Sequence, residues 1–219
     1  MIKQVFFFCL IIIKGMYNGA TYHIYRKTDV LRPNIRFLIW CVTDNCNSRC
    51  KMCNIWKKKP KGELKIDEIR KIFSSRLFDE LQWINLTGGE PFLRKDFLDI
   101  IKVLNSKKNI EGIAIPTNGF MTERILKNVE LALKILKKDK FLSVTVSIDG
   151  YEKTHDSIRG VKGGFKKAMN TLEKLSLLKK KYPNFSFGMQ PTISKKNLRE
   201  IEDFYEDYKN KYRIGFAVM

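Results

Sequence analysis

The chain predicts an α/β fold, a partial (β/α)6 barrel of parallel strands, and three observations carry that prediction. Short runs rich in β-branched and aromatic residues recur along the sequence. Each is followed by a stretch whose apolar residues return at helical spacing. Between them, directly after the strands, stand Gly, Asn and Asp, the residues that turn a chain. Repeated units of this kind pair their strands side by side in one sheet, through right-handed crossovers.

Arg36 to Val42 is the first strand, a short apolar run with Phe, Ile, Trp and Val. A loop containing Cys46, Cys50 and Cys53 follows it, then a basic loop from Lys57 to Lys65 with Pro60 and Gly62. Asp67 caps a helix with Ile69, Ile72 and Phe73 on one face. Trp83 to Leu86 is the second strand and leads into Thr87-Gly88-Gly89-Glu90-Pro91. The next helix carries Phe97, Ile100, Ile101 and Leu104 at i, i+3, i+4, i+7. Gly112 to Ile115 is the third strand, Thr117-Asn118-Gly119 its turn, and a helix from Thr122 carries Ile125, Leu126, Val129, Leu133 and Leu136. Leu142 to Ile148 is the fourth strand, ended by Asp149-Gly150. A helix through Phe165, Ala168, Leu172 and Leu175 closes near Pro183, and Phe185 to Gln190 is the fifth strand. Leu198, Ile201, Tyr205 and Tyr208 define a last helix, and Arg213 to Met219 a sixth strand, where the chain stops. No G-x-G-x-x-G follows the first strand, so a barrel of the TIM type fits better than a dinucleotide-binding sheet. In such barrels the site lies at the C-terminal ends of the strands. That rule gathers the cysteine loop, Gly88 to Pro91, Thr117 to Gly119 and Ser147 to Gly150 on one face.

With 219 residues, 44% of them hydrophobic, the chain buries a core as one domain with an extension and is not disordered. We divide it into an N-terminal extension, residues 1–35, and a core, residues 36–219. Its five cysteines, three of them clustered, do not form the spread framework of a secreted disulfide protein, which points to the cytoplasm. The net charge of +19 raises nucleic acid or an anionic membrane as partners. The lysines, however, are spread over helices as at Lys137-Lys138, Lys166-Lys167 and Lys179-Lys180-Lys181, as on solvated faces, and no recognition motif accompanies them. Sequence-specific nucleic-acid binding is therefore not expected. Val5 to Ile13 is an apolar run between Lys3 and Lys14, without a small-residue cleavage site and shorter than the roughly 20 residues that span a bilayer. Three readings stay open for it: a packed element, a membrane-surface contact, or upstream sequence attached by a wrong start codon.

Cys46, Cys50 and Cys53 stand at C-x3-C-x2-C spacing on one short loop, so their sulfurs can face a common centre. A 4Fe-4S cluster is usually held by four thiolates, and a set of three leaves a distant fourth ligand or an iron open to another molecule. The alternative is zinc, with Cys41 as fourth thiolate, in a basic nucleic-acid-binding module. Gly88-Gly89 lets backbone approach a ligand closely. Ser147 and Asp149 flank the end of the fourth strand, and His155 in the loop beyond reads as a residue that orders its own turn.

The three cysteines match the cluster ligands of the radical S-adenosylmethionine (radical SAM) superfamily, and Gly88-Gly89-Glu90-Pro91 resembles its GGEP motif. The resemblance runs from about Arg36 to Met219. It implies that Cys46, Cys50 and Cys53 hold a 4Fe-4S cluster, and that Gly88, Gly89, Glu90 and Pro91 meet the methionyl amine of S-adenosylmethionine (SAM). Thr117 and Asn118 resemble a turn lining the SAM pocket of molybdopterin-precursor enzymes. Ser147 and Asp149 are placed against the ribose or methionyl group. The segment from Ser147 to Gly160 is similar to one in the peptide-modifying, SPASM-type branch, with Arg159 set to meet a carboxylate in bidentate fashion. Two features depart from the pattern: Met52 replaces the usual aromatic before the last cysteine, and no G-x-I-x-G appears around Gln190 to Ile193. The implied activity is one-electron cleavage of SAM to a 5′-deoxyadenosyl radical that abstracts hydrogen from a small-molecule or peptide substrate. A ferredoxin or flavodoxin is implied as electron donor. Because the sixth strand ends without a covering helix, the chain is expected to be the N-terminal part of a longer product whose remainder recognises substrate.

Overall fold

The structure, a computed structural model, describes residues 35–58 and 62–218, so the apolar run at 5–13, Cys9 and the middle of the basic loop lie outside the described residues. Residues 36–219 form one compact unit. Its centre is a parallel sheet of β1 (Phe37–Thr43), β2 (Trp83–Gly88), β3 (Gly112–Thr117), β4 (Phe141–Val146) and β5 (Phe185–Met189), hydrogen-bonded in that order. Helices α1 (Ile66–Phe73), α2 (Phe97–Ser106), α3 (Thr122–Ile135), α4 (Glu152–Arg159) and α5 (Gly164–Lys181) fall between the strands. Sequential order with parallel pairing is the expected strand-helix repeat.

The two faces of the sheet differ. Ile84, Leu86, Ile113, Ile115, Leu142, Val144, Val146 and Phe185 alternate along their strands on one side and are buried. The buried residues of α2, α3 and α5 supply the matching apolar surface, among them Ile100, Leu104, Ile125, Val129, Leu172 and Leu175. Fully burying one such side chain stabilises by about 1.5–3 kcal/mol. The intervening residues face the concave side. Register aligns them in layers: Phe37, Trp83, Gly112 and Phe141, then Ile39, Asn85, Ala114, Ser143 and Ser186; beyond these Cys41 pairs with Thr87, and Pro116 with Thr145 and Gly188. Parallel sheets usually read apolar on both faces. Here the middle of the second face is small and hydroxylated, as in a lumen that receives something polar. Trp83 lies across Gly112, where a Cβ would stand 2.2 Å from the indole ring.

The expected elements appear, with four differences. Asp67 does not cap α1: Lys65 holds the cap position and Asp67 lies in the first turn. The sixth strand is not continuous with the sheet: Ile214 makes a single parallel bridge to Met189, and Ala217–Val218 (β7) pairs with Thr192–Ile193 (β6) in a separate two-stranded ribbon. The last helix, α6 (Ile201–Tyr208), buries Ile201 and Phe204, whereas Leu198 precedes it and is 61% exposed. The helix α4 was not legible as one, because its buried face consists of His155, Ile158 and Arg159 and so lacks apolar periodicity.

Candidate active site

Every loop at the C-terminal ends of β1 to β4 contributes to one cavity of about 230 Å³. Cys46, Cys50, Cys53 and Met52 line it from the first loop, Gly88 and Gly89 from the second, Thr117 and Asn118 from the third, and Ser147 and Arg159 from the fourth. Thr192, in β6, closes a side. Nine of the residues expected at the site thus share one wall. Glu90, Pro91 and Asp149 do not reach it and stand buried behind it.

The cysteine loop is held by backbone. Gly89 N–H donates to Thr43 O at 2.7 Å and Glu90 N–H to Asn45 O at 2.7 Å. A Cβ on Gly88 would stand 2.3 Å from Thr43 O, and one on Gly89 2.0 Å from Asn45 O. The glycines are therefore required by close approach of the protein's own chain, as well as leaving an open wall to the cavity. From the other side, Arg49 N–H donates to Arg159 O at 2.9 Å and Lys51 N–H to Ile158 O at 2.8 Å. Gly160, at φ +66, packs where a Cβ would meet Arg49 O at 2.4 Å. The loop lies between the Gly-Gly turn and the end of α4.

Glu90 is fully buried and accepts three donors. Phe92 N–H reaches Oε1 at 3.2 Å, Thr117 Oγ1–H reaches Oε1 at 2.9 Å, and Asn118 N–H reaches Oε2 at 2.8 Å. It ties the second loop to the third. Burial outweighs these bonds and pushes its carboxyl up to about 7. Asn118 Nδ2–H in turn donates to Asn47 Oδ1 at 2.6 Å, so the same turn also grips the cysteine loop.

Asp149 is equally buried. Its carboxylate takes both arms of Arg159, Nε at 2.6 Å and Nη2 at 2.9 Å, and the Thr192 N–H at 2.8 Å. The bidentate partner of Arg159 is thus a carboxylate of the protein itself. Burial works against the charge on Arg159, but Asp149 and the nearby Cys50 outweigh it and hold the guanidinium protonated. His155 Nδ1 accepts the Asp149 N–H at 3.2 Å, as expected of a residue ordering its turn. Burial, followed by the charge of Arg159, lowers it to about 4, so the imidazole is neutral near pH 7. Its Nε2 is buried without a partner, and its ring meets Phe120 and Phe165 edge-on.

Four contributors carry no sequence signal of their own. Ser48 sits between Cys46 and Cys50, with Oγ 3.0 Å from Cys50 Sγ. Asn197 Nδ2–H donates to Asp149 O at 2.9 Å from a distant loop. Glu200 accepts Tyr151 N–H at 3.0 Å and Thr154 Oγ1–H at 2.9 Å, setting the start of α4. Thr192 completes the set. Ser48 alone was open to inference, as a hydroxyl two residues from each of two thiols.

The donor set, three thiols from one loop, is of the kind that iron-sulfur clusters take. Three thiols ring a cavity, and among the described residues no three His, Cys, Asp or Glu side chains converge closely enough for one metal ion. Cys41, the fourth ligand of the zinc alternative, is in register with Thr87 and does not line the cavity. Burial pushes the Cys46 thiol up, and Glu90, Cys50 and Cys53 add to it. A cationic centre at the thiols would reverse that shift. Another cleft, of about 330 Å³ between α1 and α2, holds only Lys and Arg among charged groups.

The sequence and fold have relatives. A GTP 3′,8-cyclase of Photorhabdus laumondii is 34% identical over 151 residues, 63% of this chain and 44% of the relative. That of Mannheimia succiniciproducens is 29% identical over 167 residues, 71% and 48% respectively. The chain spans about half the length of these curated relatives. Among solved structures, anSMEcpe with bound AdoMet and a peptide shares the fold at TM-score 0.62 and 23% identity, over 85% of this chain and 51% of that one. SuiB of Streptococcus suis, bound to its precursor peptide SuiA, does so at 0.63 and 16%, over 91% and 43%. The family described as the Radical SAM superfamily matches residues 40–208, which takes in the cysteine loop, the Gly-Gly turn and every other wall of the cavity, and the chain belongs to that superfamily.

Proposed function

We propose that residues 36–219 form the catalytic core of a radical SAM enzyme, with a 4Fe-4S cluster on Cys46, Cys50 and Cys53 and SAM in the adjoining cavity. When bound, these groups supply one-electron cleavage of the SAM carbon-sulfur bond, giving a 5′-deoxyadenosyl radical that takes hydrogen from substrate. The observation that carries the reading is the single cavity shared by all three thiols, the Gly88-Gly89 backbone and the Thr117-Asn118 turn. Gly88 and Gly89 present peptide groups with no Cβ in the way, and Thr117, Asn118 and Ser147 offer hydroxyl and amide groups to the polar atoms of SAM. In this reading Glu90, Pro91 and Asp149 act from behind the wall. Glu90 fixes the third loop, and Asp149 fixes Arg159.

The substrate, a small molecule or peptide, is proposed to enter the concave face below the thiols. A cavity of about 410 Å³ there is lined by Ser143, Thr145, Ser186, Trp83 and Phe187. The hydroxyls suit polar groups, and Arg213 on the same cavity adds a positive charge. For the electron donor we propose an acidic protein such as a ferredoxin or flavodoxin. Met52 lines both the thiol cavity and an outer groove carrying Lys51, Lys195 and Lys196, which supports docking there. No sequence-specific nucleic-acid role is proposed. Among the described residues no helix is long and apolar enough to cross a membrane.

Anaerobic reconstitution with iron and sulfide, followed by dithionite and SAM, tests the reading. We expect a brown protein that forms 5′-deoxyadenosine, read by mass spectrometry. A colourless protein with bound zinc and no 5′-deoxyadenosine would overturn it.

A further inference from the structure

The three thiols have unequal surroundings. Cys50 Sγ lies 3.0 Å from Ser48 Oγ and 3.8 Å from Arg159 Nη1. Cys46 Sγ receives only the Ser48 N–H, at 3.4 Å, and among the described residues no donor stands within hydrogen-bond range of Cys53 Sγ. Cys50 is also a buried thiol, at 7% exposure, where water competes least for its sulfur.

Arg159 is locked in this pose. Nε and Nη2 are both taken by Asp149, and the guanidinium is a rigid planar fork, so Nη1 has no torsion of its own with which to leave. Asp149 is held in turn by the Thr192 N–H on its carboxylate, the Asn197 amide on its carbonyl, and His155 on its N–H. Ser48 Oγ–H donates to Arg159 O and can be redirected to the sulfur. The hydroxyl lies 3.1 Å from Arg159 O, and that carbonyl also accepts the Arg49 N–H at 2.9 Å. The single hydroxyl proton can turn to a thiolate without leaving the carbonyl unpaired.

We infer that Ser48 and Arg159 are positioning residues that donate together to the Cys50 thiolate and thereby raise the reduction potential of the bound cluster. The inference rests on the proposal that Cys46, Cys50 and Cys53 hold that cluster. Donation draws charge from the sulfur, and the reduced cluster, one unit more negative, gains more from it than the oxidised one. Hydrogen bonds to the sulfurs are among the determinants of such potentials. The buried Asp149–Arg159 pair thus serves the metal centre, and its position beside the SAM cavity is a consequence.

The test uses the full chain, reconstituted anaerobically, as wild type, Ser48→Ala and Arg159→Lys. Iron and sulfide content is measured first, then the midpoint potential by EPR-monitored titration. Each substitution is expected to keep four irons and to lower the reduced-to-oxidised ratio at fixed potential about tenfold, equivalent to ~59 mV for one electron. Arg159→Lys leaves Asp149 with a poorer partner. If that variant does not fold, Ser48→Ala alone decides. Full iron content with an unchanged potential in the folded variants would overturn the inference. A wild type that binds no 4Fe-4S cluster would instead overturn the proposal beneath it.

Discussion

Glu90 makes the apo protein sensitive to pH in a calculable direction. Its carboxyl, pushed from 4.5 up to about 7 by burial, binds its proton more tightly folded than unfolded. Stability from this group is full below pH 4.5, falls as pH rises through the window from 4.5 to about 7, and is flat above it. At 1.36 kcal/mol per unit the total loss is about 3 kcal/mol. His155 slopes the other way. Lowered from 6.5 to about 4, it contributes stability present above 6.5 and lost as pH falls through 4, so the two partly cancel in the wild type. Glu90→Gln separates them. Gln keeps one acceptor oxygen but sets an amide donor against the Asn118 N–H, so its absolute stability mixes two effects. The difference between variant and wild type as a function of pH contains only the Glu90 titration. Urea unfolding of the apo chain under reducing conditions at pH 5 and pH 8 should show wild type losing about 2 kcal/mol more than Glu90→Gln. Parallel losses in the two proteins would refute the argument that burial dominates this carboxyl.

Two further outcomes are expected. Replacing Cys46, Cys50 or Cys53 with Ala should abolish iron retention, whereas Cys41→Ala should keep it, since Cys41 does not line the thiol cavity; iron analysis after gel filtration checks both. Gly160→Ala should destabilise the apo chain by at least ~1 kcal/mol, from its left-handed φ of +66 and the contact with Arg49 O, read as a lower urea midpoint.

The barrel and the thiols were legible because their signals are local. Strand runs, helical spacing and C-x3-C-x2-C each occupy a few consecutive residues, and the strand-end rule then brings the loops together. What escaped depends on distance in sequence. Asn197 holds Asp149 across 48 positions, and Arg159 meets Cys50 across 109. The role expected of Gly88-Gly89 was incomplete for the same reason, since the neighbour that forbids a side chain is the backbone of Thr43 and Asn45. Helix α4 was missed because it turns a histidine and an arginine inward.

The clamping of the cysteine loop between the Gly-Gly turn and the end of α4 bears on the order in which the protein is made. Four backbone hydrogen bonds, two on each side, hold the loop through the protein's own chain. Small zinc domains fold only as metal arrives, because their loops have no other partner. Here the loop has partners in β1, the Gly-Gly turn and the end of α4, so bonds within the chain offset part of the entropy of ordering it. The expected outcome is a chain that folds before it is charged, checked by a cooperative urea transition of the iron-free protein.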